Sequence, residues 1–260
     1  MDAAQLRDSL EFALEAVWQA GRITLGYFQT GVAVERKSDH SPVTAADRQA
    51  EEKLRTLISR YWPEHGILGE EYGEQRGRVP YTWIIDPIDG TKSFVQGVPL
   101  YGMLVALSDG ERPVVGVAHF PALSETVYAA QGLGCYWNGR RCHVSSVREL
   151  KDAVLLASEI DAFAQHGCQS AWDKLVRATY IQRTWGDSYG HALVATGRAE
   201  IMLDPVMQVW DNGPFQVIQE EAGGTFTDWN GKPTIYSTNA IATNGWLFEP
   251  VMQIVRAPTS

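Results

Sequence analysis

Trp83-Ile84-Ile85-Asp86-Pro87-Ile88-Asp89-Gly90-Thr91 is the stretch on which the fold of this chain turns. A short apolar strand runs straight into an acid, a proline and, three residues on, a second acid. Pro87 biases Asp86 away from helical geometry, so the strand is predicted to end there in an extended state. Gly90 lets the chain turn, and Thr91-Lys92-Ser93-Phe94 can open a short helix whose free N–H groups point back at the acids. Asp-Pro and Asp-Gly alone are ordinary turn elements. The whole nonapeptide behind a hydrophobic strand is more specific. Two carboxylates and the exposed carbonyl of Ile88 are hard oxygen donors suited to Mg²⁺ or Mn²⁺. Anion donors beside such a cation make a phosphate site.

Two more acidic features repeat this logic. Gly69-Glu70-Glu71 follows the apolar Ile67-Leu68, and Trp210-Asp211 stands just before a predicted helix starting near Asn212. Taken singly, Glu70 reads as a solvated loop residue and Asp211 as a plain helix cap. Their weight comes from standing in one chain with Asp86 and Asp89.

The 260 residues include 22 Lys+Arg against 31 Asp+Glu, a net charge of -9, which argues against nucleic acid and against an anionic membrane as partners. With 45% hydrophobic and 20% charged residues the chain can bury a core. Cys135, Cys142 and Cys168 make neither a CxxC pair nor an even set, and read as reduced thiols. Asp2, Arg7, Asp8 and Glu11 leave no room for a signal-peptide core, and no apolar run approaches the roughly 20 residues that span a bilayer, so a cytoplasmic location is expected. His40, His65, His119, His143, His166 and His191 form no HxxxH or HExxH pair, and no GxSxG is present.

Periodicity predicts a helix from about Leu6 to Gly31, a polar turn at Lys37-Ser38-Asp39-His40-Ser41-Pro42, and a helix from about Thr44 to Tyr61. Thr44 and Asp47 resemble a capping box. Strands are expected at 67–69, 83–85, 101–107, 113–120 and 126–130, with a hairpin turn at Asn138-Gly139. Beyond residue 147 strands (153–157, 181–184, 201–203, 225–227, 240–243) alternate with helices (169–178, 187–196, 212–222 and one ending near Val255). The chain therefore reads as two lobes packed as one body, α+β over 1–147 and α/β over 148–260.

These features together resemble the inositol monophosphatase family of metal-dependent phosphatases, over nearly the whole chain. The elements, in order, are Lys37 with Pro42-Val43-Thr44-Ala45-Ala46-Asp47, Gly69-Glu70-Glu71, the nonapeptide, and Trp210-Asp211 followed by Glu221-Ala222-Gly223-Gly224. The resemblance implies the layered αβαβα sugar-phosphatase fold and hydrolysis of a small phosphomonoester by a metal-activated water. Glu70, Asp86 and the Ile88 carbonyl would hold one Mg²⁺; Asp86, Asp89 and Asp211 would hold a second, and Glu70 would help with a weaker third. Mn²⁺ is an alternative ion. Thr91, Asp47 and Glu70 form the implied catalytic set, Thr91 and Asp47 positioning the water. The Gly90 and Thr91 amides would contact phosphate. A homodimer is implied as well.

Where inositol phosphatases continue Gly-Thr-x-Asn-Phe, this chain has Gly90-Thr91-Lys92-Ser93-Phe94 and then Gly97-Val98-Pro99. That continuation is similar to the histidinol-phosphatase branch of the family, as is Arg183-Thr184-Trp185-Gly186-Asp187. Histidinol phosphate offers an ammonium and an imidazole. Asp187 could pair with the first, Trp185 stack on the second, and Arg183 contact substrate from the same loop. The plainer alternatives are Asp187 as a helix cap and Trp185 as core. Inositol-1-phosphate or a broader range of sugar phosphates are alternative substrates. A non-catalytic binding role is the alternative of a different class, against which stands the joint presence of Glu70, Asp86, Asp89, Thr91 and Asp211.

Overall fold

The computed structural model describes residues 1–37 and 41–257; Ser38, Asp39 and His40 of the expected turn lie outside them. The chain opens with α1 (Ala3–Tyr27), whose buried face of Leu6, Leu10, Ala13, Val17 and Ala20 follows the helical period. Asp2 caps it in a box with Gln5. The helix stops at Tyr27, short of the expected Gly31, with Phe28 extended as its C-cap. After β1 (Val34–Arg36) and β2 (Pro42–Thr44) comes α2 (Ala45–Tyr61). Thr44 and Asp47 form the anticipated reciprocal cap.

An eight-stranded mixed sheet follows, with β3 (Gly66–Gly69), β4 (Gly73–Gln75), β5 (Thr82–Asp89), β6 (Gly102–Ser108), β7 (Pro113–Phe120), β8 (Glu125–Ala130), β9 (Gly134–Trp137) and β10 (Arg140–Arg141). Its order is β10-β9-β8-β7-β6-β5-β3-β4, antiparallel apart from the β3–β5 pair. The short α3 (Thr91–Val95) leaves the end of β5.

The rest of the chain builds a five-stranded sheet of order β12-β11-β13-β15-β14, from β11 (Val154–Ala157), β12 (Ile181–Arg183), β13 (Ile201–Asp204), β14 (Thr225–Thr227) and β15 (Ala240–Thr243). Strand β11 runs parallel to both neighbours, which requires crossovers. α4 (Ile160–Gln165) and α5 (Gln169–Ala178) supply one, α6 (Asp187–Ala195) the other. The helix expected at 212–222 is split into α7 (Val209–Asn212) and α8 (Phe215–Glu221), because Pro214 between them has no N–H to donate. Asp211 therefore sits inside a short helix and not ahead of one. α9 (Phe248–Val255) ends the fold.

Three apolar clusters join five layers, the middle one filling both faces of the central helix layer. α1 and α2 cover one face of the large sheet through Leu10, Val17, Leu54 and Trp83. α6 and α8 lie between the sheets, where Leu104, Ala118 and Phe120 meet Leu156, Met202 and Phe215. α5 and α9 cover the outer face of the small sheet through Trp172, Leu175 and Val251. The result is the layered αβαβα architecture expected from the sequence. No helix among the described residues is long and apolar enough to cross a membrane.

Candidate active site

The nonapeptide is continuous with β5, which runs on to Asp89 and does not end at Asp86. Residues three apart in a regular strand point to opposite faces. Here the pairing with β6 shifts register between Asp86 and Asp89. Pro87 cannot donate to the ladder, and the Ile88 N–H turns instead to Asp86 Oδ1 at 3.0 Å. This bulge re-aims the two acids. Together with Asp211 they offer carboxylate oxygens that all lie within 4.8 Å of one another. Gly90, left-handed at φ 77°, carries the chain from the strand into α3.

Each carboxylate is positioned by a backbone amide. The Ser188 N–H at the start of α6 donates to Asp89 Oδ2 at 2.7 Å. The Gln208 N–H donates to Asp211 Oδ2 at 2.8 Å, so Asp211 is held by a cap on its own short helix. Burial, and then the neighbouring carboxylates, push Asp86 and Asp89 well above the usual carboxylate range. Burial chiefly raises Asp211 to about 7 as well. Crowded anions that resist ionising are what a hard cation relieves. These oxygen donors fit Mg²⁺ or Mn²⁺ by type and grouping.

The other predicted site residues fall at several distances from this trio. Thr91 Oγ1 donates to the Ile88 carbonyl at 3.0 Å and lies 3.4 Å from Asp47 Oδ1. Asp47 is buried, which raises its pKa, and its other oxygen takes the Thr44 N–H and hydroxyl at 2.8 and 2.6 Å. Glu70 reaches the same cleft but is paired with Lys37 at 2.7 Å, and Lys37 also holds Glu71 at 2.6 Å. Burial works to lower the Lys37 pKa, but the two carboxylates outweigh it and keep the ammonium charged. Behind this loop the fully buried Glu51 accepts from the Glu71 and Tyr72 amides and from Arg55 Nε.

A cleft of about 410 Å³ opens over these groups, lined by Glu70, Asp89, Gly90, Thr91 and Asp211 and, from the later half of the chain, by Ser158, Glu159, Asp187 and Asp204. Asp187 is therefore a cleft residue. It is the first residue of α6, and its side chain does not cap that helix. Burial, with Asp204 and Glu159 nearby, raises its carboxyl to about 6. Lys92 and Glu159 form an ion pair at the cleft. Arg183 and Trp185 stand outside the lining. Trp185 is 45% exposed, so it is not core, and the Arg183 guanidinium lies 5.9 Å from its ring centre. The cause is β12, an edge strand whose exit runs over the surface.

Sequence reasoning missed Ser158, Glu159 and Asp204. A signal for Asp204 existed: Ile201-Met202-Leu203-Asp204-Pro205 repeats the apolar-strand-then-Asp-Pro pattern of Ile84-Ile85-Asp86-Pro87. Ser158, a small residue just past β11, carried none.

A model of the inositol monophosphatase family matches residues 5–257. A histidinol-phosphatase of Chlorobaculum parvum is 42% identical across 87% of this chain and 88% of its own. One of Mycobacterium tuberculosis is 37% identical across 96% and 98%. Among solved structures, an inositol monophosphatase from Zymomonas mobilis superposes with a TM-score of 0.88 at 30% identity, covering 99% of this chain and 100% of that one.

Proposed function

The chain belongs to the inositol monophosphatase family and is a phosphatase of that type, and from that premise we propose that it hydrolyses L-histidinol phosphate to L-histidinol and phosphate with Mg²⁺. The observation that carries the reading is the cleft itself. Asp89 and Asp211, which form the trio with the buried Asp86, line it together with a second group of acids, Glu159, Asp187 and Asp204. The first group suits cations that bind phosphate, the second a substrate that brings its own positive charge. Two relatives named histidinol-phosphatase agree with this chemistry.

In this reading Asp86, Asp89 and Asp211, with Glu70 and the Ile88 carbonyl, hold two to three Mg²⁺ ions, or Mn²⁺ in their place. When bound, such ions neutralise phosphoryl charge and lower the pKa of water, which matters because phosphomonoester hydrolysis is exceptionally slow unaided. The protein's own groups do the positioning. The single Thr91 hydroxyl proton lies within reach of two acceptors, the Ile88 carbonyl at 3.0 Å and Asp47 Oδ1 at 3.4 Å, and the lone pairs of Oγ1 are left to accept from a water. Asp47 orients Thr91 from behind and, with its raised pKa, is a ready proton acceptor. Glu70 completes the catalytic set by releasing Lys37 and turning to the ions. The Gly90 and Thr91 amides meet the phosphate, and Asp187 takes the substrate ammonium. Arg183 and Trp185 serve the imidazole end, which projects furthest from the phosphate. A cytoplasmic homodimer whose lobes divide near residue 147 completes the proposal; light scattering tests the dimer.

A second reading, inositol-1-phosphate or a wider set of sugar phosphates, is favoured by the position of Arg183 and Trp185 outside the cleft lining. Phosphate release with Mg²⁺ from L-histidinol phosphate, inositol 1-phosphate, fructose 1,6-bisphosphate and phosphoadenosine phosphate decides between them. Preference for L-histidinol phosphate is expected. Preference for inositol 1-phosphate, or a flat profile, discards the substrate and leaves the phosphatase.

A further inference from the structure

Asp187 is held in a backbone conformation that an L-residue with a side chain rarely adopts. Its φ is 52°, in the left-handed region. A contact must hold it there, and the structure supplies a chain of them. The Asp187 N–H donates to Ser158 Oγ at 2.8 Å. Ser158 Oγ in turn lies 2.6 Å from Asp204 Oδ1. Asp204 Oδ2 lies 3.0 Å from His191 Nε2. His191 and Asp204 are 0% and 2% exposed, and the imidazole is stacked against Phe215 with ring centres 4.9 Å apart.

The donors and acceptors allow one direction only. Ser158 Oγ donates its single hydroxyl proton to Asp204 Oδ1. The serine lone pairs are then left to receive the Asp187 amide. His191 places its ring proton on Nε2, toward Asp204, since its Nδ1 meets no partner among the described residues. The chain thus runs His191 to Asp204, Ser158 to Asp204, and Asp187 to Ser158, every link satisfied. The neighbouring residue needs close approach too. A Cβ on Gly186 would meet the Ala157 carbonyl at 2.7 Å and the Ser158 Cα closer still, so residues 186 and 187 are pressed onto the end of β11.

The consequence is where the Asp187 carboxylate ends up. A Cβ built on Gly90 would stand 2.9 Å from Asp187 Oδ2, so this carboxylate rests against the glycine that follows Asp89. In a phosphomonoester of a vicinal amino alcohol, the carbon bearing the ammonium is bonded directly to the ester methylene. Its positive charge must therefore lie close to the phosphate, and a carboxylate resting on Gly90 is placed to meet it. A charge further along a substrate would not be read at this position.

We propose that Ser158, Asp204 and His191 are positioning residues that fix the Asp187 carboxylate against Gly90, and that through it they set selectivity for phosphomonoesters of vicinal amino alcohols. The proposal rests on the substrate reading given above and names the part of the substrate that is recognised. Ser158 and Asp204 border the cleft, but Asp204 spends its two oxygens on Ser158 and His191, and Ser158 Oγ is spent on Asp204 and the Asp187 amide, so they act on substrate through Asp187.

The test compares L-histidinol phosphate with its N-acetyl derivative, which keeps the phosphate and imidazole and loses the ammonium. Wild type, Ser158→Ala, Asp187→Asn and the double variant are measured, each first checked for a cooperative melt. Ser158→Ala is expected to lower kcat/KM for the amine about tenfold, mainly through KM, and for the N-acetyl ester less than about threefold. In the Asp187→Asn background the same change should add less than about twofold, because the group it positions is already neutral. Equal losses on both esters, or full additivity with Asp187→Asn, overturns the proposal while wild-type preference for the amine keeps the substrate reading. Wild type that treats both esters alike overturns that reading, and the selectivity said to depend on it.

Discussion

Replacing Asp89 by Asn should move activity and stability in opposite directions. Asp89 lies in a trio of carboxylates whose ligand oxygens are within 4.8 Å of one another. With an effective dielectric constant near 20, each ionised pair at that distance repels by about 3.5 kcal/mol. Proton uptake relieves part of this, as the elevated Asp211 pKa of about 7 requires. Removing one charge should then stabilise the metal-free protein by about 1–3 kcal/mol at pH 8. Asn keeps an oxygen that can accept the Ser188 N–H, now bonded at 2.7 Å, so the α6 contact survives. For a chain of this size the gain is a melting temperature higher by roughly 2–10 °C. Turnover should fall at least about a thousandfold, since a charged metal ligand contributes several kcal/mol to the transition state. The assay is thermal unfolding of chelator-treated protein beside phosphate release with Mg²⁺. A variant that melts several degrees below wild type, or releases phosphate at the wild-type rate, refutes the account of the trio.

The same carboxylates set a pH dependence. Their folded pKa values are raised, so the folded state holds more protons than the unfolded one from about pH 4, near the unfolded carboxylate value, up to about 7 for Asp211. Metal-free stability should therefore fall as pH rises through that window, and saturating Mg²⁺ should recover it; melts from pH 5 to 8 that stay level without metal would contradict this. Gly186→Ala forces a Cβ to 2.7 Å from the Ala157 carbonyl, and a loss of about 1–3 kcal/mol in urea unfolding is expected. Glu51→Ala removes the buried acceptor for the Glu71 and Tyr72 amides and for Arg55. It should cost about 2–4 kcal/mol and weaken Mg²⁺ affinity through the Glu70 loop, and unchanged calorimetric affinity would separate that loop from the ions.

Much of the site was legible because its parts are local. The Thr44–Asp47 cap needs only three residues of spacing, and the Asp86-to-Thr91 bulge is encoded by a proline with no N–H and a glycine that can turn left-handed. Asp187 and Asp211 were found as acids near helix starts, though their roles as cleft residues depend on elements far away in sequence. What was not legible is long-range. Lys37 pairs with both Glu70 and Glu71 across more than thirty positions, and Ser158 meets Asp204 across forty-six. No local pattern reports such contacts. The single helix expected at 212–222 failed for a local reason: hydrophobic spacing continues through Pro214, but the backbone hydrogen bonds do not. Arg183 and Trp185 closely precede Asp187 in sequence, yet the edge strand β12 leaves them outside the cleft lining, a placement no local pattern shows.

Asp86, Asp89 and Asp211 are proposed to bind divalent cations together. Calorimetric titration of Mg²⁺ into chelator-stripped wild type and Asp86→Asn, in two buffers of different ionisation heat, tests it most directly. Wild type should bind Mg²⁺ and release protons near pH 7, because carboxyls with raised pKa values must ionise to become ligands. Asp86→Asn should lose most of that binding while keeping a cooperative melt. Binding of equal strength in both proteins, or binding by wild type with no proton release, would contradict the claim.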